Sequence, residues 1–234
     1  MRPLRTRLEE ARKLHGTPWE VLERDYILSW MLAGIYHGPP LRDTLVFKGG
    51  TALKKCYFGD YRFSEDLDFT GLPGVPTGRA MEEAIFRACD AAAKILDEYA
   101  PVEIVGERYT EKEPHPGNQE AFIIRARFPW QKQPHTRLMI ETTVDESLLK
   151  PPEYRKVIHE YGEPLDAVVR VYALEEIVAE KLRAILQHFE RFEIRGWSRS
   201  SAATASTHTS MMCRLRSPAE ASSRRKSSAS SHRP

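Results

Sequence analysis

The chain has 234 residues, 41% of them hydrophobic, and a formal net charge of +2; that length supports one large or two small domains with a sizeable core. Residues 200–234 carry six Lys/Arg against one Glu, which leaves the preceding residues net acidic at −3 and excludes a globally basic nucleic-acid binder; any RNA contact must come from local patches. Cys56, Cys89 and Cys213 show neither Cys-x-x-Cys spacing nor an even framework, and no apolar run nears 18 residues, so a soluble, cytoplasmic protein without zinc, disulfides or a membrane partner is expected.

Residues 4–15 (LRTRLEEARKLH) read as a short charged helix ended by Gly16. Thr17-Pro18-Trp19-Glu20 reads as a capping box with proline at the first helical position, opening a helix from 18 to about 36. Its broad stripe of Val21, Leu22, Tyr26, Leu28, Ser29, Met31, Leu32 and Ile35 is expected to pack behind a sheet, and Gly38-Pro39-Pro40 stops it.

Leu45 to Thr70 (LVFKGGTALKKCYFGDYRFSEDLDFT) carries the chemistry. A short apolar strand, Leu45 to Phe47, ends at the Gly49-Gly50 turn, and Thr51 is placed to cap the helix that follows. A glycine turn opening into a helix presents backbone N–H groups that suit phosphate. In Asp66-Leu67-Asp68-Phe69 the strand period puts both carboxylates on one face, where a divalent cation relieves their repulsion. Phosphates beside a metal describe a nucleoside-triphosphate site.

Beyond this stretch, Gly71 to Gly78 is a turn-rich connector, and residues 79–98 form a helix with Met81, Ala84, Ile85, Ala88, Ala92, Ile95 and Leu96 at core spacing. Strands are expected at Val102–Glu107, Ala121–Phe128 and Thr136–Thr143, with Glu111–Glu120 as a mobile hairpin loop. Within the last strand Glu141 shares a face with Met139 and Thr143, costly unless paired or metal-bound; Asp145 is the runner-up, and a solvated Glu141 is the plainer alternative. Residues 146–168 read as a connector broken by Pro151-Pro152 and Gly162-Glu163-Pro164. A helix over about 173–190 bears the stripe Leu174, Ile177, Val178, Leu182, Ile185 and Phe189, and Lys181 lies inside it, either snorkelling or meeting an anion. Arg183, Arg191 and Arg195 read as surface charges. Residues 200–234, with eleven serines and few apolar residues, read as disordered, either a shifted-frame translation of a truncated gene or a basic arm that holds RNA.

Taken together, Lys48-Gly49-Gly50-Thr51-Ala52-Leu53 and Arg62-Phe63-Ser64-Glu65-Asp66-Leu67-Asp68-Phe69 resemble the AbiEii/AbiGii type of nucleotidyltransferase toxin, the group that includes the MenT toxins, within the polymerase-β-like superfamily. The resemblance spans roughly Trp19 to Arg199. It implies an α+β fold: a small mixed sheet flanked by helices over residues 1–150, then a connector and the start of a helical part over 151–199. It implies two Mg²⁺ ions held by Asp66, Asp68 and Glu141, and an NTP gripped by Lys48, Gly49, Gly50, Thr51, Arg62, Ser64 and Lys181, the last from the family's Glu-Lys-Leu helix. The implied activity is transfer of an NMP to an acceptor, the tRNA 3′ end, by the toxin of a type IV-like system with a neighbouring antitoxin. The family's Arg-Asp-x-x-Asp-Leu-type motif has no match after the lysine helix. Two alternatives stay open: a protein or small-molecule acceptor, and an inactive remnant that binds NTP without turnover.

Overall fold

The computed structural model describes residues 1–110, 119–144 and 146–200, with side chains as far as 189. Most of the loop expected over Glu111–Glu120, the runner-up Asp145, the side chains of Arg191 and Arg195, and the Ser-rich tail with Cys213 lie outside the described residues. Packing divides the chain into two units, Met1–Glu180 and Lys181–Pro234.

The first unit is built on seven strands: β1 (Leu45–Lys48), β2 (Asp66–Gly71), β3 (Glu103–Arg108), β4 (Glu120–Arg127), β5 (Thr136–Thr143), β6 (Glu153–Lys156) and β7 (Val168–Val171). They form one mixed sheet in the order β3-β4-β5-β2-β1-β7-β6. β1–β2, β3–β4, β4–β5 and β6–β7 are antiparallel; β2–β5 and β1–β7 are parallel. The sequence analysis expected five of these strands, read β6 as connector and left β7 all but unassigned, between the end of that connector at 168 and the helix from about 173. β6 and β7 are four residues each, too short for a period to declare itself; β6 stands between Pro151-Pro152 and Gly162-Glu163-Pro164, the breakers that suggested a loop, and β7 follows them.

Helices α1 (Leu4–His15), α2 (Trp19–Tyr36), α3 (Leu41–Thr44), α4 (Gly49–Ala52), α5 (Gly78–Leu96) and α6 (Leu174–Ser200), with a π-helical turn over Leu53–Tyr57, complete the described elements. α2 is apolar nearly all the way round and, Arg24 apart, is buried accordingly from Leu22 to Tyr36. It packs against α5, β5 and β7, and its Tyr36 ring meets Phe69 on the back of the sheet. The crossing with α5 is close because it is made of small residues: a side chain at Gly34 would stand 2.3 Å from the Ala88 carbonyl oxygen and 2.8 Å from Ala92 Cβ. The expected capping box does not form. Pro18 takes the N-cap position, and the Thr17 hydroxyl donates instead to the His15 carbonyl at 3.3 Å.

Two acidic residues of α2 turn inward, and each is satisfied differently. Glu23 accepts from Trp19 Nε1 and Trp130 Nε1 (both 2.7 Å), Gln131 Nε2 (2.9 Å) and Thr136 Oγ1 (3.2 Å), fastening the helix to the β4–β5 turn. Asp25 pairs with Lys55 Nζ at 2.6 Å and accepts from the Tyr161 hydroxyl at 2.8 Å. Beside it, Arg7 of α1 pairs with Glu163, which also accepts from Tyr26, so α1 is docked through a buried ion pair. His159 is enclosed in this cluster, with Nε2 3.3 Å from Glu163.

Burial, helped by the nearby Lys55 and Arg7 charges and opposed by Asp25, depresses the His159 imidazole to about 3. The unfolded chain binds that proton near the ordinary value of 6.5. The neutral ring's contribution to stability is therefore complete above about pH 6.5 and is lost as pH falls toward 3, at up to about 1.4 kcal/mol per pH unit. Denaturant unfolding of wild type should weaken across this window, and H159L should flatten that slope; an unchanged slope in H159L would assign it to other groups.

Candidate active site

Three neighbouring strands bring three charged residues into one row. Lys48 on β1 is registered opposite Asp68 on β2, and Asp68 opposite Glu141 on β5. Asp66, two residues earlier on β2 and opposite Met139, shares the face of Asp68. Leu67 and Phe69 point to the other side and are fully buried, with Phe69 and Phe47 in ring contact at 5.3 Å. The hydrophobic back of the sheet thus fixes where the carboxylates stand in front.

The glycine turn is built around Asp68. Gly49 has φ +81, a backbone conformation that disfavours any Cβ, and a Cβ there would lie 2.4 Å from Asp68 Oδ2. The carboxylate therefore rests against the bare α-carbon of the turn. Thr51 does not cap the helix: the N-cap residue is Lys48, whose side chain makes no capping bond. Thr51 is buried, and its hydroxyl donates to the Asp66 carbonyl at 2.6 Å, welding the turn to the first residue of β2. After α4 the backbone widens into a π-helical turn over Leu53–Tyr57. It places Lys54 Nζ on the Gly59 carbonyl at 2.8 Å and 4.2 Å from the Phe63 ring centre, and sends Lys55 inward to Asp25.

Arg62 is exposed, and Ser64 is half-buried, on the segment that leads into β2. Next to them Glu65 pairs with Arg24. Partial desolvation pushes the Asp66 carboxyl above its ordinary range, and Glu65 adds to this against the opposing charges of Arg24 and Arg137. Lys181 begins the second unit and is half-buried on α6. Of the stripe read around it, Ile177 is buried, whereas Val178, Leu182, Ile185 and Phe189 are exposed.

The sequence analysis missed a cluster on the same face. Glu146 pairs with Lys48 and accepts from the Thr70 hydroxyl at 2.8 Å; Thr70 in turn lies 2.7 Å from the Tyr172 hydroxyl, and Lys48 Nζ stands 5.9 Å from the Tyr172 ring centre. Burial raises the Glu146 carboxyl, but hydrogen bonds from Lys48 and Thr70 and the Lys48 charge outweigh it and hold the group below its ordinary value. The only sequence signal was a carboxylate close after an acidic strand, where attention went to Asp145.

Among the described residues no group of three His, Cys, Asp or Glu side chains closes into a cage ready for a metal. The donor set nonetheless suits a hard divalent cation: oxygen ligands on one face of a sheet, two residues apart on one strand and directly across on the next. The Gly49 contact can be tested directly. G49A should destabilise the fold by about 1–3 kcal/mol and displace Asp68. Gly74 has a similar φ of +89 with nothing within 4 Å of its would-be Cβ, so G74A reports backbone strain alone. Equal losses in the two variants would show that the Asp68 contact carries no weight.

The family described as Nucleotidyl transferase AbiEii toxin, Type IV TA system, has a model that matches residues 30–199, a span that holds the glycine turn, the Asp-x-Asp strand and Glu141. No curated protein matches the chain. With most of its length matched, and with a mixed sheet that carries the acidic row in front and α2 and α5 behind, the chain belongs to the AbiEii family of nucleotidyltransferase toxins of type IV toxin–antitoxin systems.

Proposed function

We propose that the acidic row binds Mg²⁺ and moves an NMP from an NTP to the 3′ end of a tRNA. The observation that carries this reading is the register that sets Asp68 across from Glu141, with Asp66 on the same face and the Gly49 turn pressed against Asp68. Asp66, Asp68 and Glu141 would hold the metal. Bound there, Mg²⁺ supplies the positive charge that steadies the triphosphate during displacement. The backbone N–H groups of Gly49 and Gly50 face phosphate oxygens, and Thr51 contributes through its backbone, since its hydroxyl is committed to Asp66. Lys48, Arg62 and Ser64 supply further donors along the same edge.

In the transfer, the acceptor hydroxyl oxygen bonds to the α-phosphorus as the bond to the bridging oxygen breaks. Pyrophosphate leaves with that electron pair, and the hydroxyl proton passes to a carboxylate of the row. Most of the barrier is lowered by placement and charge, so the loss of one carboxylate is severe. The tRNA end is the acceptor that the family resemblance implies, and no helix among the described residues is long and apolar enough to cross a membrane.

The purified chain, incubated with each α-³²P NTP, Mg²⁺ and total tRNA, should label RNA, and D66A or D68A should lower the rate by about three orders of magnitude or more. K181A belongs in the same assay, as the resemblance assigns that lysine to the triphosphate. Wild-type turnover in D66A and D68A would overturn the assignment, and protease-sensitive label would move the acceptor from RNA to protein.

A further inference from the structure

The chain ahead of the Ser-rich tail is net acidic and its candidate centre is a row of carboxylates, so a polyanionic acceptor has to be drawn in by charge placed locally. The sheet register supplies such charge. On β5 the period of two puts Arg137 and Met139 on the face of Glu141, and Arg125 of β4 stands directly opposite Arg137. Like charges facing each other across paired strands cost stability, and an anion laid over them removes that cost. β3 adds Val105 opposite Arg125 and Glu103 opposite Arg127 on the same face. Arg24 of α2 joins from the side, with Nε donating to the Arg137 carbonyl at 2.9 Å, and Arg62 stands exposed ahead of β2.

The carboxylates among these residues do not cancel the charge. Glu107 pairs with Arg125 at 3.0 Å, Glu103 with Arg127, and Glu65 with Arg24. Arg62 and Arg137 make no ion pair among the described residues, so five arginines stand against three glutamates. Arg24 and Arg137 both act on the Asp66 carboxyl, opposing the rise that partial burial and Glu65 impose, so the patch adjoins the row.

Strand order sets the parts in sequence across the sheet. The glycine turn follows β1, Asp66 and Asp68 lie on β2, Glu141 on β5, and the facing arginines on β5 and β4. The row therefore stands between the turn and the arginine pair. Four residues of β5 separate Arg137 from Glu141, roughly 13 Å of extended strand. In-line displacement needs the acceptor on the side of the α-phosphorus away from the leaving pyrophosphate. With the triphosphate on the glycine turn, that side is the one toward β4.

We infer that the arginine-bearing face of β3, β4 and β5 is the track for the acceptor RNA. Arg125 and Arg137 take backbone phosphates behind the terminal nucleotide and so bring the 3′ hydroxyl to the row. Guanidinium forks match phosphate oxygens, and contacts to the backbone position a strand without reading its sequence. The inference rests on the RNA reading above and gives it a direction of approach. A cationic small-molecule acceptor would be repelled by the same pair.

The test maps position, because total affinity would also count the basic tail. The photoreactive residue p-benzoylphenylalanine replaces Val105, which is 52% exposed on this face, or Phe86, which is 36% exposed on α5. Each full-length chain is irradiated with ³²P-labelled total tRNA, and the crosslinked nucleotide is mapped. Crosslinks should form at position 105 and fall near the 3′ end, with little at position 86. In the position-105 chain, R125Q/R137Q should lower the yield about tenfold, whereas R79Q/R87Q, which removes the same charge from α5, should hold it within about twofold. R125K/R137K keeps the charge but not the fork; it should fall between the two and serves if the glutamine variant folds poorly. Equal yields at the two positions, or equal losses in the two glutamine variants, overturn the track while the RNA reading stands. No crosslink at position 105 to tRNA that the wild-type chain does label from α-³²P NTP likewise overturns the track alone. No crosslink and no label overturn the RNA reading and the track together.

Discussion

Carboxylates that face one another across paired strands repel, and the molecule holds Asp68 against Glu141 in that arrangement. The cost is met on the reverse of the sheet. Leu67 and Phe69 of β2, Phe47 of β1 and Ile140 of β5 are fully buried in the core closed by α2. A one-residue slip of β2 would send two apolar side chains into solvent and two carboxylates into that core, a penalty far larger than the repulsion it would relieve. The helix behind cannot slide either. Glu23 and Asp25 are tied to different parts of the chain, one to the β4–β5 turn and one to the π-helical turn and Tyr161.

The acidic strand and its glycine turn were legible because both obey short-range rules. A period of two sorts Asp66 and Asp68 from Leu67 and Phe69, and consecutive glycines after an apolar strand mark a turn wherever they occur. Glu141 was legible for the same reason, as a carboxylate inside a clean alternation. What escaped notice depends on contacts between residues far apart in the chain. Glu146 acquires its meaning from Lys48, and Tyr172 from Thr70, separations of 98 and 102 residues. Nothing local distinguishes Glu146 from any polar residue after a strand. Glu23 was hidden differently: in an apolar helix one glutamate looks like noise until four donors are found converging on it.

Thr51 marks the boundary between local and tertiary reading. After a glycine turn, a threonine is a natural capping residue, and its side chain does bond to a backbone. The partner is the carbonyl of Asp66, fifteen residues on, rather than an N–H of its own helix. One hydroxyl thereby joins the glycine turn to the acidic strand. The same economy shows in Gly49, whose missing side chain is the space that Asp68 occupies.

The parallel pairing of β2 with β5 has a consequence for the order of events during synthesis. Antiparallel neighbours can zip from a turn, but Asp68 meets Glu141 only after the intervening α5, β3 and β4 have been laid down. Loop closure on that scale makes the pairing a late step of folding. A nascent chain that has formed the glycine turn and the Asp-x-Asp strand therefore has no completed row until β5 has been made and docked beside β2.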